Sequence, residues 1–455
     1  MALVFHSGFE SGNGAEWASF TGSAAVSTTQ KKTGAYSLRC NPTAGTAYAT
    51  WTNPSLNITR LTLYVYIATA PSAAFTFTTS SSQWQPGLNT ARKIDLYEDG
   101  SKLVSGVTVL ALNTWYRVSV TVNSSDGHAY LWIDGVAEGN YDGTVTALLS
   151  SAAGSFQIGV GLNSTTDVYI DDIAFDNATG STTDLGNIRC AAVALPNAEG
   201  DSIAFDTLAP TSPTTHYTKY DDPPGAIDDA EYVMHAAKTE VQDFANLNSS
   251  AEIGLSASDV IDAVNVCVRM KMSKASAGSP GITVKDNGTA YDTTLGAANA
   301  AFTWLAKYYA TMPNGGAAWT QARFDAFQAG GNSAAEAEDT FMSAVMALGA
   351  YHSGGTSWTK NLADTMTLND SSVKAPVKKP TDTLSLLDGF SRQVDYLRTL
   401  TDTMGLADAP VKAPSLFKSD TLTLVDTPVK APSLSKADTL TFLDSFSREA
   451  VYNRT

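Results

Sequence analysis

Few residues in this chain have both the type and the spacing to do chemistry. His216, His235 and His352 have no carboxylate or cysteine at a spacing that sequence can join into a catalytic set. Cys40, Cys190 and Cys267 lie far apart, with no Cys-x-x-Cys and no histidine cluster, so buried free thiols are expected rather than zinc or a disulfide framework. Trp84 sits in the polar run Ser80-Ser81-Ser82-Gln83-Trp84-Gln85-Pro86-Gly87. An exposed indole there would offer a flat face on which a sugar could stack, the alternatives being a subunit contact or simple packing. Trp51, Trp115 and Trp132 are expected to fill the core.

The elements that would position these residues are mostly strands, and the most regular pattern lies at the far end. An Asp-Thr-apolar-x-apolar-x-Asp unit starts at Asp364, Asp382, Asp402, Asp420 and Asp438, at intervals of 18, 20, 18 and 18 residues. Its tails carry either Val-Lys-Ala-Pro, as in Val373 to Pro376, or Phe-Ser-Arg followed by an aromatic-x-Arg, as in Phe390 to Arg398. Leu422 and Leu424 alternate with Thr421 and Thr423, the period of a strand with one apolar face. Two leucines per unit supply roughly 1.5 to 3 kcal/mol each when buried, against an ordering cost of about 1 to 2 kcal/mol per residue. Each unit must therefore lean on a neighbour or on another chain. The residues expected to make that contact are Leu384, Leu386, Leu422, Leu424, Leu440 and Phe442; the alternative is a disordered polar tail.

A length of 455 residues suggests about three domains. Charged residues make up only 16%, and good helix formers are scarce before residue 319, which favours an all-β chain. With a net charge of −16 and no basic stripe, a nucleic-acid partner is not expected. No apolar run approaches the roughly 18 residues of a membrane span, and Met1 to Gly8 lack the basic start and apolar stretch of a secretory signal. A soluble protein made in the cytoplasm is expected.

Residues 1 to 178 read as short strands divided by turns. Leu61 to Ile67, Trp115 to Val122, Ala129 to Ile133 and Val168 to Ile170 are β-branched and aromatic, while Asp126-Gly127, Asp134-Gly135 and Asp142-Gly143 supply turns. Asn113-Thr114-Trp115-Tyr116-Arg117-Val118 followed by Asp126 to Gly135 resembles the paired strands of laminin G-like and concanavalin A-like jelly rolls. So do Gly8-Phe9-Glu10-Ser11-Gly12 with Trp17, Thr33 to Leu38, and Val168-Tyr169-Ile170-Asp171-Asp172-Ile173. The resemblance implies a β-sandwich, and it implies that Glu10 with Asp171 or Asp172 holds a structural calcium through hard oxygen ligands. A pair of solvated acids closing the sandwich is the alternative. Glycanases of this fold carry Glu-x-Asp-x-x-Glu, whereas Lys93-Ile94-Asp95-Leu96-Tyr97-Glu98 has lysine first, so no catalytic residue is assigned and hydrolysis is not expected.

Thr179 to Asn187 forms a polar linker to a second body, residues 188 to 353. Val264, Val266, Val268, Met270 and Met272 alternate along a strand expected to be half-buried. A single helix is expected after Thr320 as cap, with Trp319 and Phe324 as a staple and Gly330 as a left-handed exit. Together with the Leu195-Pro196-Asn197 opening and a closing strand from about Thr340 to Tyr351, this set resembles a β-sandwich domain of tailed-bacteriophage structural proteins. The fold expected is therefore all-β: two jelly-roll-like β-sandwiches followed by a short-repeat β array over 362 to 455. The resemblance implies a virion structural protein, a head or tail decoration or a fibre, partnered by other virion proteins and by itself as a trimer or hexamer. A lectin-like adhesin gripping host-surface glycan is the alternative, with the repeats multiplying valency.

Overall fold

The computed structural model describes residues 3–354 except 53–55, 79–83, 99–100, 124–125, 143–154, 179–180, 237–239, 274–279, 295–299 and 334–338, and beyond 354 only 405–406 and 441–442. The chain divides into two compact units, 1–354 and 355–455. It is all-β, as expected.

Within the first unit, the larger sheet of the first sandwich runs in the order Val136–Asp142, His128–Ile133, Trp115–Asn123, Arg60–Thr69, Asp167–Asp176, Ser37–Cys40, Ala24–Ser27, and Leu3–Ser7 also pairs with Asp167–Asp176. A three-stranded sheet (Ser155–Ser164, Gly45–Thr52, Ser19–Gly22) and a four-stranded sheet (Ser101–Ser105, Ile94–Glu98, Trp84–Leu88, Phe75–Thr76) complete it. Period-2 alternation sends Val118, Val120, Val122, Leu131 and Ile133 into the core, where Phe5, Trp51, Phe156 and Phe175 meet with ring centroids 4.4 to 5.9 Å apart.

Trp51 fills this core as expected; Trp132 is as buried, at 9% exposed, but outside this core, and Trp115 is half-buried. Both occupy the opposite face of their strands: Trp115 lies 5.5 Å from Tyr66, and Trp132 continues a stacked row with Tyr130 and His128. The phase of alternation decides this. Val118 and Leu131 take the inner face, so residues an odd number of positions away must take the outer one.

The second sandwich pairs a five-stranded sheet (Pro196–Ile203, Gln242–Leu247, Gln328–Asn332, Gly281–Asp286, Thr289–Thr294) with a six-stranded one. The latter runs Thr207–Ala209, Tyr232–His235, Thr340–Ser353, Asp259–Met272, Thr303–Tyr309, with Arg189–Ala194 also on Thr340–Ser353. The helix is Gln321–Asp325. Thr320 caps it by accepting from the Arg323 amide at 3.2 Å, and Trp319 meets Phe324 at 6.4 Å. Gly330 is not its exit: Ala326 ends the helix, and Gly330 lies in the strand Gln328–Asn332, where its missing side chain makes room for the backbone of Asp243.

The strand Asp259–Met272 is buried on both faces over most of its length, not half-buried. Val264, Val266, Val268 and Met270 enter the core of the second sandwich, while Ala263, Asn265 and Cys267 face the first sandwich and are at most 3% exposed. Ala263 and Ala350 pack with Leu3, Ala174, Leu185, Ile188 and Cys190; Cys267, Met346 and Leu348 form an adjoining cluster that Ala15 and Trp304 cover. The polar segment 181–187 is pinned over the first sandwich. Asp184 pairs with Arg117 at 2.6 Å, Thr121 donates to the Thr183 carbonyl, and Tyr64 donates to Asn187.

In the second unit, Gly405–Leu406 pairs in parallel with Thr441–Phe442. These are the fourth and fifth residues of the third and fifth repeats, counted from Asp402 and Asp438, so Phe442 pairs with the residue in its own place in another unit. Leu384, Leu386, Leu422, Leu424 and Leu440 lie outside the described residues.

Candidate functional site

A bulge in the strand Asp167–Asp176 brings two acids to one loop. Asp171 pairs with Tyr64 and Ala174 with Thr62, so the strand gains one extra residue there, and Asp172 adopts a left-handed φ of 47°. Both aspartates then serve the same loop. Asp171 Oδ2 accepts from the amides of Lys32 (2.7 Å) and Thr33 (3.3 Å), and its Oδ1 accepts from the Asp172 amide at 2.7 Å. Asp172 accepts from the Thr33 hydroxyl at 2.8 Å and, through Oδ1, from the Cys190 amide at 2.7 Å.

Glu10 completes the cluster by accepting from the amides of Ala35 and Tyr36 at 2.9 to 3.1 Å. Gly34, with φ of 59°, is held so close that any side chain would run into the Glu10 carboxylate.

Glu10, Asp171 and Asp172 are at most 3% exposed, so the alternative of solvated acids is corrected. Burial pushes Glu10 up to about 7, with Asp172 and Glu16 adding repulsion. Burial likewise raises Asp172 to about 6 and, with the charge of Asp172, lifts Asp171 well above the usual carboxylate range. Glu16 is raised by burial too, although Ser7 and Ser11 donate to it at 2.5 and 2.8 Å.

This cluster is a joint between the sandwiches. Asp172 grips Cys190 on the first strand of the second sandwich, and Tyr36, beside Glu10 on the same loop, donates to the Pro224 carbonyl at 2.8 Å. The hard oxygens suit a calcium ion, which would relieve their excess negative charge, but the loop turns amide N–H groups toward them, and those donors compete with a cation rather than ligate it. Among the described residues no three His, Cys, Asp or Glu side chains converge as a ready-made metal set. Glu10 and Asp172 would hold the ion, which would have to draw them away from the Ala35, Tyr36, Thr33 and Cys190 donors that they already accept from. The oxygens of Asp171 are committed to amides in the same way.

Trp84 is not an exposed platform. It is 3% exposed in the first core, with its ring 5.1 Å from Tyr141, because Trp84–Leu88 is a strand whose alternation turns the indole inward. Asp95 and Glu98 are three apart on one strand, so their side chains leave opposite faces.

Sequence reading missed the partners of the histidines, which come from distant strands. His216 Nδ1 pairs with Asp243 at 2.7 Å, and His352 Nδ1 with Asp262 at 2.7 Å. Asp243 also takes the Tyr220 hydroxyl at 2.9 Å and the Phe205 amide at 3.2 Å, so it anchors the segment 205–220. The three cysteines are buried free thiols.

No family model matches the chain, and no curated protein does. Among solved structures, a trans-sialidase-active mutant of Trypanosoma rangeli sialidase is 14% identical over 36% of this chain and 30% of that one, with a TM-score of 0.26. The binding domain of Paraclostridial Mosquitocidal Protein 1 is 10% identical over 39% and 49%, with a TM-score of 0.31. Domain 4 of an extracellular arabinanase from Geobacillus stearothermophilus, in complex with arabinotriose, is 16% identical over 39% and 94%, with a TM-score of 0.31. The chain thus spans less than half the length of the first two.

Proposed function

We propose that the chain is a non-enzymatic structural component of a tailed-bacteriophage virion, made in the host cytoplasm. In this reading the two sandwiches form a rigid block, and the repeats of 362 to 455 fasten it to copies of itself, as a trimer or hexamer, or to other virion proteins. The observation that supports it best is the shared seam: from Ala263 to Cys267 one face of the strand Asp259–Met272 is covered by the first sandwich, with Ala263 and Cys267 fully buried there. A seam that deeply buried resists relative motion, which suits a spacer under load better than two independently swinging binding modules. A calcium ion at Glu10 and Asp172 would harden the joint by neutralising its buried charge. The adhesin alternative has lost Trp84 as its contact.

The test is the size of the full chain against a chain lacking 362 to 455, measured by light scattering after gel filtration. A full-length trimer or hexamer that falls to a monomer on truncation is the expected result. An unchanged oligomer would remove the fastening role of the repeats, and absence of the labelled protein from purified particles would remove the virion assignment.

A further inference from the structure

We propose that the seam between the sandwiches opens at one end into a binding site for an acidic saccharide. Cross-strand register lays out the outer face of the six-stranded sheet in rows. Ala263 stands opposite Ala350; Cys267 stands between Met346 and Ala306; Arg269 stands between Ala344 and Trp304; Lys271 stands opposite Phe341. The first two rows are covered by the first sandwich. Beyond them the covering stops, and a cleft of about 340 Å³ lies between Arg269 and Trp304 on one side and Asn13, Ser19 and Phe20 on the other. That volume falls at the lower end of the roughly 300 to 1,000 Å³ of small-ligand sites.

The cleft has what a sugar ring needs. Trp304 and Phe20 are half-buried in the lining of the cleft, and what ring surface they leave exposed is apolar enough for the C–H face of a sugar to stack on. Arg269 is held in place before any ligand arrives. Its Nε and Nη2 fork onto Asp229 at 2.7 and 2.6 Å, Ser343 donates to the same carboxylate at 2.9 Å, and the guanidinium lies 5.9 Å from the centroids of both Phe302 and Trp304. Its Nη1 makes no hydrogen bond among the described residues, and with Asn13 and Ser19 it supplies partners for sugar hydroxyls.

Acidity is assigned from charge. Lys271 lies 4.4 Å from the Phe302 centroid, 4.7 Å from that of Phe341 and 5.8 Å from that of Tyr232, and it has no salt bridge among the described residues. Arg269 and Lys271 thus stand on one face near Asp229, and of the two only Arg269 is paired with it. A ligand carboxylate is the group that this spot would select. The strip continues past the cleft through Phe302, Phe341 and Tyr232, the last two 5.2 Å apart.

The test uses the full chain titrated calorimetrically with trigalacturonate, with its methyl ester as the neutral control and with 3′-sialyllactose as a second acid. Saturable binding of at least one acid is expected, weakened about tenfold or more by esterification or by Lys271→Gln. Ala18 is exposed at the rim of the cleft, so Ala18→Trp should fill the cleft and abolish binding with the melting midpoint unchanged. No binding of either acid, equal binding of the ester, or binding indifferent to Ala18→Trp would each overturn the site. Loss of the oligomer on truncation bears on the repeats alone, so the two proposals fail separately.

Discussion

The closed and open ends of one sheet face use the same strand and the same alternation to opposite effect. At the closed end Ala263, Ala350 and Cys267 are small, apolar and sealed under the first sandwich; at the open end Arg269, Lys271, Trp304 and Phe341 are large, cationic or aromatic and half-exposed. Small side chains let another layer approach closely, whereas long cationic ones laid over rings keep it away and stay wet at their tips. Side-chain size along a single strand thus sets where the seam stops.

The strongest way to break this contrast is to put an open-end residue at the closed end. Ala263→Arg would bury a charge with no partner and should cost about 3 to 5 kcal/mol, read as a fall in the calorimetric midpoint or as the sandwiches melting apart in two steps. A loss below about 1 kcal/mol would mean that the seam yields easily and is no joint.

The next effect is of pH and cations on the carboxylates that lock the closed side. Glu10, raised to about 7 from 4.5, and Asp172, raised to about 6 from 3.8, keep protons in the folded state that the unfolded chain releases. The stability they give is full below those lower values and is lost as pH rises through the folded ones, at about 1.4 kcal/mol per pH unit for each group. His6 acts in the other direction. Burial against Tyr308 lowers it from 6.5 to about 3, so stability is lost as pH falls through that window. Without calcium, the midpoint should therefore drop between about pH 4.5 and 7, and Glu10→Gln should flatten the drop. Added calcium should restore the midpoint at pH 8 and do little at pH 5. An unchanged midpoint with calcium and chelator at pH 8 would remove the ion while leaving the joint.

Much of the fold could be read in advance, since alternation in Leu61 to Ile67, Trp115 to Val122 and Val264 to Met272 depends on period alone. The cap at Thr320 and the staple of Trp319 with Phe324 were equally local. What could not be read was set by layers far off in sequence. Alternation gives two faces but does not say which is covered, so Asp259–Met272 looked half-buried, and Trp84 in a polar run looked exposed. Cys190, 18 residues beyond Asp172, and the pairing of His216 with Asp243 across 27 residues needed the fold to bring them together. The acids Glu10, Asp171 and Asp172 were found through family resemblance. That resemblance did not show that they also tie the second sandwich.

The smallest effect, at the open end, tests whether its residues serve stability or recognition. Lys271 makes three cation–π contacts at a half-exposed site, each worth about 0.5 to 1 kcal/mol at most and weakened by water and salt. They also share one ammonium and cannot add in full. Lys271→Gln keeps the stem over the rings and removes only the charge, so its cost should stay below about 1 kcal/mol and shrink further in high salt. The pairing of Arg269 with Asp229 should survive, because its fork and the Ser343 bond do not involve Lys271. If chemical denaturation instead shows a loss above about 2 kcal/mol that salt does not reduce, Lys271 holds the sheet as Ala263 does. The open end would then be structure carried to the edge of the seam, and its charge would not be free to meet a ligand.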